Sequence, residues 1–213
     1  MNNLLILGSD GLLGSSVSPK VASAGYSVFL HSRLGKNGES GNLNILNDVN
    51  KLISKTNPDT ILNFAALADV DVCENTNKAY LGNVKVLENI VRSIQENIPN
   101  CFLINISTDH VYDSLGYSKE EDIFLSNYYS FSKYTGELVV NQIDGCSLRT
   151  NFFGKSRVTN KYSFTDWLFN DLNNGKTVKV FEDVYFNPLS MNTLAKHIGT
   201  IASLNPSGVF NLG

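Results

Sequence analysis

Cysteine is scarce in this 213-residue chain, which carries only Cys73, Cys101 and Cys146. These are widely spaced, odd in number and without CxxC or histidine partner spacing, so neither a disulfide framework nor a zinc site is expected. No metal is called for, and the three thiols read as buried small hydrophobes. Charge is sparse as well, at 17% of residues against roughly 25% in an average domain. The 17 basic residues face 20 acidic ones for a net charge of −3, and no segment concentrates positive charge, which argues against a nucleic-acid partner. Long apolar runs are missing too. Leu4–Leu7 and Leu138–Val140 fall far short of the ~20 residues that span a bilayer. Met1, Asn2 and Asn3 offer no basic n-region, and Gly8 interrupts the first apolar run. A cytoplasmic protein with no membrane partner is therefore expected. What is present, 42% hydrophobic residues at a mean hydropathy of −0.08, suits one large globular domain or a domain with an annex, at ~100–200 residues per domain.

Strand and helix signals alternate along the chain. An apolar run over 3–7, a glycine-rich turn, a helix-compatible stretch from Leu12 to Ala24, a stop at Gly25 and a β-rich run from Ser27 to His31 make a βαβ opening. Strands are predicted over 60–63 and 102–106, a long helix from Cys73 to Ile98 and another from Tyr129 to Val140. Within the long helix Val84, Leu87, Ile90, Val91, Ile94 and Ile98 recur at helical spacing as one apolar stripe. Repeated βα units predict a doubly wound, Rossmann-type α/β fold, its parallel sheet covered by helices on both faces. After Leu148 the chain turns to longer loops crowded with aromatics. A small C-terminal substrate-binding annex is expected there, dividing the chain into 1–148 and 149–213. A helix over 164–172, a strand over 178–181 and a helix over 192–203 are predicted within it.

Three motifs carry chemistry. Gly8-Ser9-Asp10-Gly11-Leu12-Leu13-Gly14 follows the first strand and opens the first helix. Glycines there let the backbone turn sharply and approach a pyrophosphate, with free N–H groups at the helix N-terminus facing its charge. Asp10 reads as the helix N-cap, turned toward backbone donors. A purely structural strand-to-helix turn is the competing reading. The second strand ends in His31-Ser32-Arg33, with no acidic residue for the ribose 2′-OH of NAD. Ser32 and Arg33 suit instead the 2′-phosphate of NADPH, unless Arg33 is an ordinary solvated loop residue. Third, Ser107-Thr108-Asp109-His110-Val111-Tyr112 closes a strand and Tyr129-Ser130-Phe131-Ser132-Lys133 opens a helix. At i and i+4 the Lys133 ammonium can stand beside the Tyr129 phenol and lower its pKa. Tyr129 can then exchange a proton with a carbonyl oxygen as hydride moves, with Thr108 adding a hydroxyl at the strand end.

Together these motifs make the chain resemble an extended short-chain dehydrogenase/reductase, of the branch of dTDP-4-dehydrorhamnose reductases and related sugar-nucleotide reductases. Asn63-Phe64-Ala65-Ala66, the Asp69 to Glu74 segment, Asn83-Val84, Gly136-Glu137, Leu148 to Gly154 and the closing Gly208 to Gly213 segment also match in kind. The resemblance implies a catalytic set of Thr108, Tyr129 and Lys133, with Tyr129 as general acid and Lys133 also bonding the nicotinamide ribose. It implies a cofactor path along Ala65, Ala66 and Ala68, with Asn83 contributing, and a substrate side at Asn151, Phe152 and Phe153. The two phenylalanines read equally well as core aromatics. NADP(H) is the expected cofactor, NAD(H) the second option, and a nucleotide sugar the expected substrate, within polysaccharide or dTDP-rhamnose biosynthesis. A homodimer through the two long helices is implied as well. Where the family usually has an acidic residue near the adenine, this chain has Asn44, which can bond the base without adding charge. Members of the family run on past the closing Gly-Val-Phe-Asn-Leu-Gly segment, in a piece that helps finish the sugar-nucleotide pocket. Epimerase or dehydratase chemistry on the same fold, or a silent dinucleotide-binding regulatory subunit, are the alternatives.

Overall fold

The first apolar run forms β1 (Asn3–Leu7), buried on both faces. Leu4 and Ile6 enter one core cluster while Leu5 and Leu7 enter another, the period of two that a central strand requires. The computed structural model describes residues 2–22, 25–35, 38–113, 116–159 and 161–213. After β1 come α1 (Leu12–Ala22), β2 (Ser27–Ser32), β3 (Glu39–Ser40), α2 (Leu46–Thr56) and β4 (Thr60–Asn63). They are followed by α3 (Val70–Cys73), α4 (Thr76–Tyr80), a π-helical turn (Leu81–Lys85), α5 (Val86–Asn97), β5 (Phe102–Thr108) and a short 3-10 turn (Asp109–Val111). The chain closes with α6 (Tyr128–Val140), β6 (Gly145–Phe153), α7 (Phe164–Asn173), β7 (Pro188–Ser190), α8 (Met191–Leu204) and β8 (Gly208–Leu212).

The strands pair in the order β3-β2-β1-β4-β5-β6-β7, with β8 also pairing β6. All seven pairings are parallel. Helices α1 and α8 cover one face through Leu13, Val17, Val21, Leu194 and Ile198. Helices α2, α5 and α6 cover the other through Val49, Leu52, Ile53, Leu87, Ile90 and Val140. The doubly wound sheet expected from the alternation of elements is present. Because every strand is parallel, their carboxyl ends share one edge, where open α/β sheets bind ligands.

Several expectations change. The helix expected over 73–98 is broken: Asp69 accepts from Val72 N at 3.0 Å and Asn75 from Lys78 N at 3.1 Å. Each starts a new short helix as an N-cap, and α5 follows only after the π turn. The α2 helix was not expected, although Val49, Leu52, Ile53 and Thr56 make its buried face. The strand expected over 178–181 does not form, and Val180 and Phe181 are exposed there with no neighbouring strand. The loops expected after Leu148 begin later, because β6 continues to Phe153. Its first part lies between β5 and β8, and Asn151–Phe153 then pair with β7. The division expected at 148/149 falls inside β6, and both α8 and β8 return to the main sheet. The helix expected to reach Ala24 is seen to Ala22; residues 23 and 24 lie outside the described residues.

Candidate active site

Gly8 has a φ of +73°, and a Cβ there would lie 2.8 Å from the Ala65 backbone nitrogen. At Gly14 a Cβ would overlap the Gly8 carbonyl. The turn after β1 and the first turn of α1 are therefore packed backbone on backbone. Gly11 N donates to Gly8 O at 3.1 Å, and Gly11 O accepts from Ser15 N at 2.9 Å. The helix proper starts at Leu12, one residue later than a cap at Asp10 requires. The half-buried Asp10 side chain makes no hydrogen bond to it, so the N-cap expectation for Asp10 is corrected. Leu12 and Leu13 face the core, leaving their N–H groups, among the unpaired donors of a helix start, to point out of the turn. Sequence reasoning missed Ser9, which holds the turn on β2: its N and Oγ each lie 3.0 Å from His31 O.

At the end of β2, the buried Ser32 Oγ and His31 Nδ1 have no hydrogen-bond partner, nor has Asn44 Oδ1 in the segment before α2. The other ring nitrogen of His31 meets Gly41 O at 3.1 Å, and burial pushes its pKa down. Arg33 is exposed beside them. Buried polar groups are nearly always satisfied, so two orphaned atoms at the end of a strand flanking a cradle that admits no side chain fit a bound dinucleotide.

The loop after β4 carries Ala65, Ala66 and Ala68 along the same edge, with Ala66 and Ala68 exposed. Asn83, expected to touch the cofactor, is buried. Its Oδ1 accepts from Leu67 N at 2.8 Å, and its Nδ2 donates to Leu67 O at 3.0 Å and to Ser132 Oγ at 2.9 Å. With its amide committed, Asn83 anchors the alanine loop to α6 rather than facing a ligand. The π turn is what sets it there.

Asn127 caps α6, accepting from Ser130 N at 2.8 Å, and so fixes Tyr129 in the first helical turn. Thr108 lies near enough to lower the pKa of the Tyr129 phenol, but burial, with Asp109 adding to it, outweighs this and pushes the phenol up. Thr108 also accepts from His110 N at 3.2 Å, and the His110 ring stands edge-on to Tyr129 with centroids 5.5 Å apart. The ammonium of Lys133 does not sit against the phenol. It donates to Ile106 O at 2.6 Å, and burial pulls its pKa down to about 8, opposed by Glu137. The expectation that Lys133 lowers the pKa of Tyr129 is corrected for this arrangement, because a backbone carbonyl of β5 takes the charge.

Beyond Tyr129 opens a cleft of about 680 Å³ lined by His110, Asn127, Asn151, Phe152, Phe153 and Trp167 among others. Asn151 Nδ2 donates to the Asp109 carboxylate at 3.3 Å. Phe152 backs onto the core, whereas Phe153 is exposed. No cluster of three or more metal-binding side chains occurs among the described residues, and no helix there is long and apolar enough to cross a membrane.

Fold and site define a Rossmann-type α/β protein of the dehydrogenase/reductase class, with a glycine turn and a Thr-Tyr-Lys set on one sheet edge. The chain belongs to the family described as the RmlD substrate binding domain, whose sequence model matches residues 1–210. It is 32% identical to a hypothetical dTDP-4-dehydrorhamnose reductase from Sulfolobus tokodaii, with a TM-score of 0.87 over 99% of this chain and 76% of that one. It is 25% identical to the probable low-salt glycan biosynthesis reductase Agl14 of Haloferax volcanii, over 97% of this chain and 73% of that protein. The dTDP-4-dehydrorhamnose reductase of Bacillus anthracis, solved in complex with NADP, is 20% identical with a TM-score of 0.87, over 100% of this chain and 75% of that one, a likeness of fold.

Proposed function

We propose that the chain is a reductase that takes hydride from NADPH in preference to NADH and reduces the 4-keto group of a nucleotide-activated 6-deoxy sugar. The observation that carries this reading is Tyr129, buried beside Thr108 at the carboxyl edge of the sheet, with Asp109, His110 and Asn127 next to it lining the cleft. Family membership and likeness to reductases of sugar nucleotides and glycan assembly support it. Gly8, Gly11, Gly14 and the N–H groups of Leu12 and Leu13 hold the pyrophosphate. Ser32 and Arg33 take the 2′-phosphate, and Asn44 bonds the adenine. Ala65, Ala66 and Ala68 flank the cofactor path. The dihydronicotinamide supplies the hydride when bound.

Thr108 bonds the substrate carbonyl oxygen and Tyr129 gives it a proton. A phenol held up by burial remains protonated at neutral pH, as a general acid must. Lys133, released from Ile106, bonds the nicotinamide ribose. Asn151, Phe152 and Phe153 shape the sugar side of the cleft, in a substrate-binding annex centred on the excursion between β6 and β7. A dTDP-sugar in rhamnose supply is the first substrate to test, in a cytoplasmic setting. Tyr128, Phe131 and Leu138 leave an exposed apolar stripe on α6 that supports a homodimer through this helix. The test is NADPH consumption with dTDP-4-keto-6-deoxyglucose. Turnover without net consumption assigns epimerase or dehydratase chemistry, and no turnover with intact NADPH binding assigns a regulatory subunit.

A further inference from the structure

One buried pair beside the site has no part in the reaction as described. Glu137 lies one turn beyond Lys133 on α6, and Arg149 lies on β6, their side chains 1% and 2% exposed. Nε of Arg149 sits 3.0 and 3.2 Å from the two carboxylate oxygens, and Nη2 sits 2.6 Å from Oε2. Withdrawing two charges from water costs several kcal/mol per ion, repaid only by good geometry and further hydrogen bonds. Those further bonds lead to the site. The Ser107 hydroxyl donates to Oε1 of Glu137, and Ser107 directly precedes Thr108. From the other side of the guanidinium, Nη1 donates to the Tyr112 hydroxyl at 2.7 Å and to Glu120 O at 2.6 Å. Tyr112 in turn donates to Asn211 of β8 at 2.6 Å.

We propose that Glu137 is a positioning residue, an inference that rests on the reading of Thr108, Tyr129 and Lys133 above: held by Arg149, its carboxylate ties the end of β5 that carries Thr108 to the turn of α6 that carries Lys133. A pair that merely stabilises the fold makes no demand on Lys133. Glu137 does, because the groups facing that ammonium are the Ile106 carbonyl, the Cys73 thiol and the Glu137 carboxylate. Burial pushes the Cys73 thiol up and keeps it neutral, so Glu137 supplies the negative charge that favours the ammonium.

The experiment compares wild type, Glu137→Gln and Ser107→Ala. It follows NADPH-dependent turnover of dTDP-4-keto-6-deoxyglucose from about pH 6 to 10, and titrates Lys133 by NMR with 13C-labelled lysine. In Glu137→Gln the alkaline limb and the Lys133 titration should both move down by about one pH unit, so that turnover above the limb falls about tenfold. In Ser107→Ala kcat should fall several-fold with KM and the limb unchanged. A Lys133 titration in Glu137→Gln that coincides with wild type overturns the proposal. If Glu137→Gln does not fold because it strands a buried guanidinium, the double variant Glu137→Gln with Arg149→Met removes that charge too and is read the same way. A wild type that turns nothing over overturns the reaction reading alone, and the Lys133 titration still decides whether Glu137 acts on Lys133.

Discussion

The Lys133 ammonium is bound to the Ile106 carbonyl at 2.6 Å, two residues before Thr108. Strand and helix are thus joined by a charged hydrogen bond beneath the site, while burial is the largest influence on the phenol, with Asp109 adding to it. Tyr129 and Lys133 have separate environments, which makes their contributions separable by mutation.

Tyr129→Phe should reduce turnover by at least about 100-fold, the lower range for a positioned proton donor, while NADPH binding stays within about twofold of wild type. Fluorescence titration alongside steady-state kinetics checks both. Comparable turnover in the variant removes Tyr129 from the mechanism.

For Lys133, the folded pKa of about 8 lies below its usual 10.5. Between these values the unfolded chain binds more protons than the folded one, so this group makes stability rise with pH there. Below about pH 8 both states are protonated and the burial penalty is present in full. Lys133→Met should be inactive, and any advantage it has over wild type in Tm should shrink as pH climbs from 8 toward 10. Melting curves at several pH values test this, and a constant difference sinks it.

Arg33→Ala and Ser32→Ala should each weaken NADPH binding at least about tenfold, the scale of a hydrogen bond to a charged group, and change NADH binding little. Equal losses for the two cofactors would assign these residues to shape rather than to the 2′-phosphate.

Gly14→Ala places a methyl against the Gly8 carbonyl and should cost about 1–3 kcal/mol of stability, read as a lower urea midpoint, together with lost NADPH binding. An unchanged midpoint would mean that α1 shifts to make room.

The doubly wound sheet was legible because β1 and α1 announce themselves locally, through an apolar run, a glycine turn and helical spacing. Thr108, Tyr129 and Lys133 were legible as residue types at strand and helix ends. The direction in which Lys133 points was not, since it depends on a carbonyl of β5 that no spacing reveals. Asn83 misled for a similar reason: its amide is spent on Leu67 and Ser132 through a π turn, and a one-residue bulge leaves no mark in hydrophobic periodicity. Glu137 and Arg149 are twelve positions apart on different elements, a pairing fixed only when α6 lies over β5 and β6. The strand expected over 178–181 had β-forming residues but no sheet edge to join.

The double membership of β6 bears on how substrate selectivity can change. Asn151, Phe152 and Phe153, which line the cleft, continue without a break in the backbone the strand clamped between β5 and β8. A wall built that way cannot swing like a door. New specificities are then open to exchanges of side chains along a fixed rail, and to the excursion hung between β6 and β7, while the register that aligns Thr108 with Thr150 stays untouched.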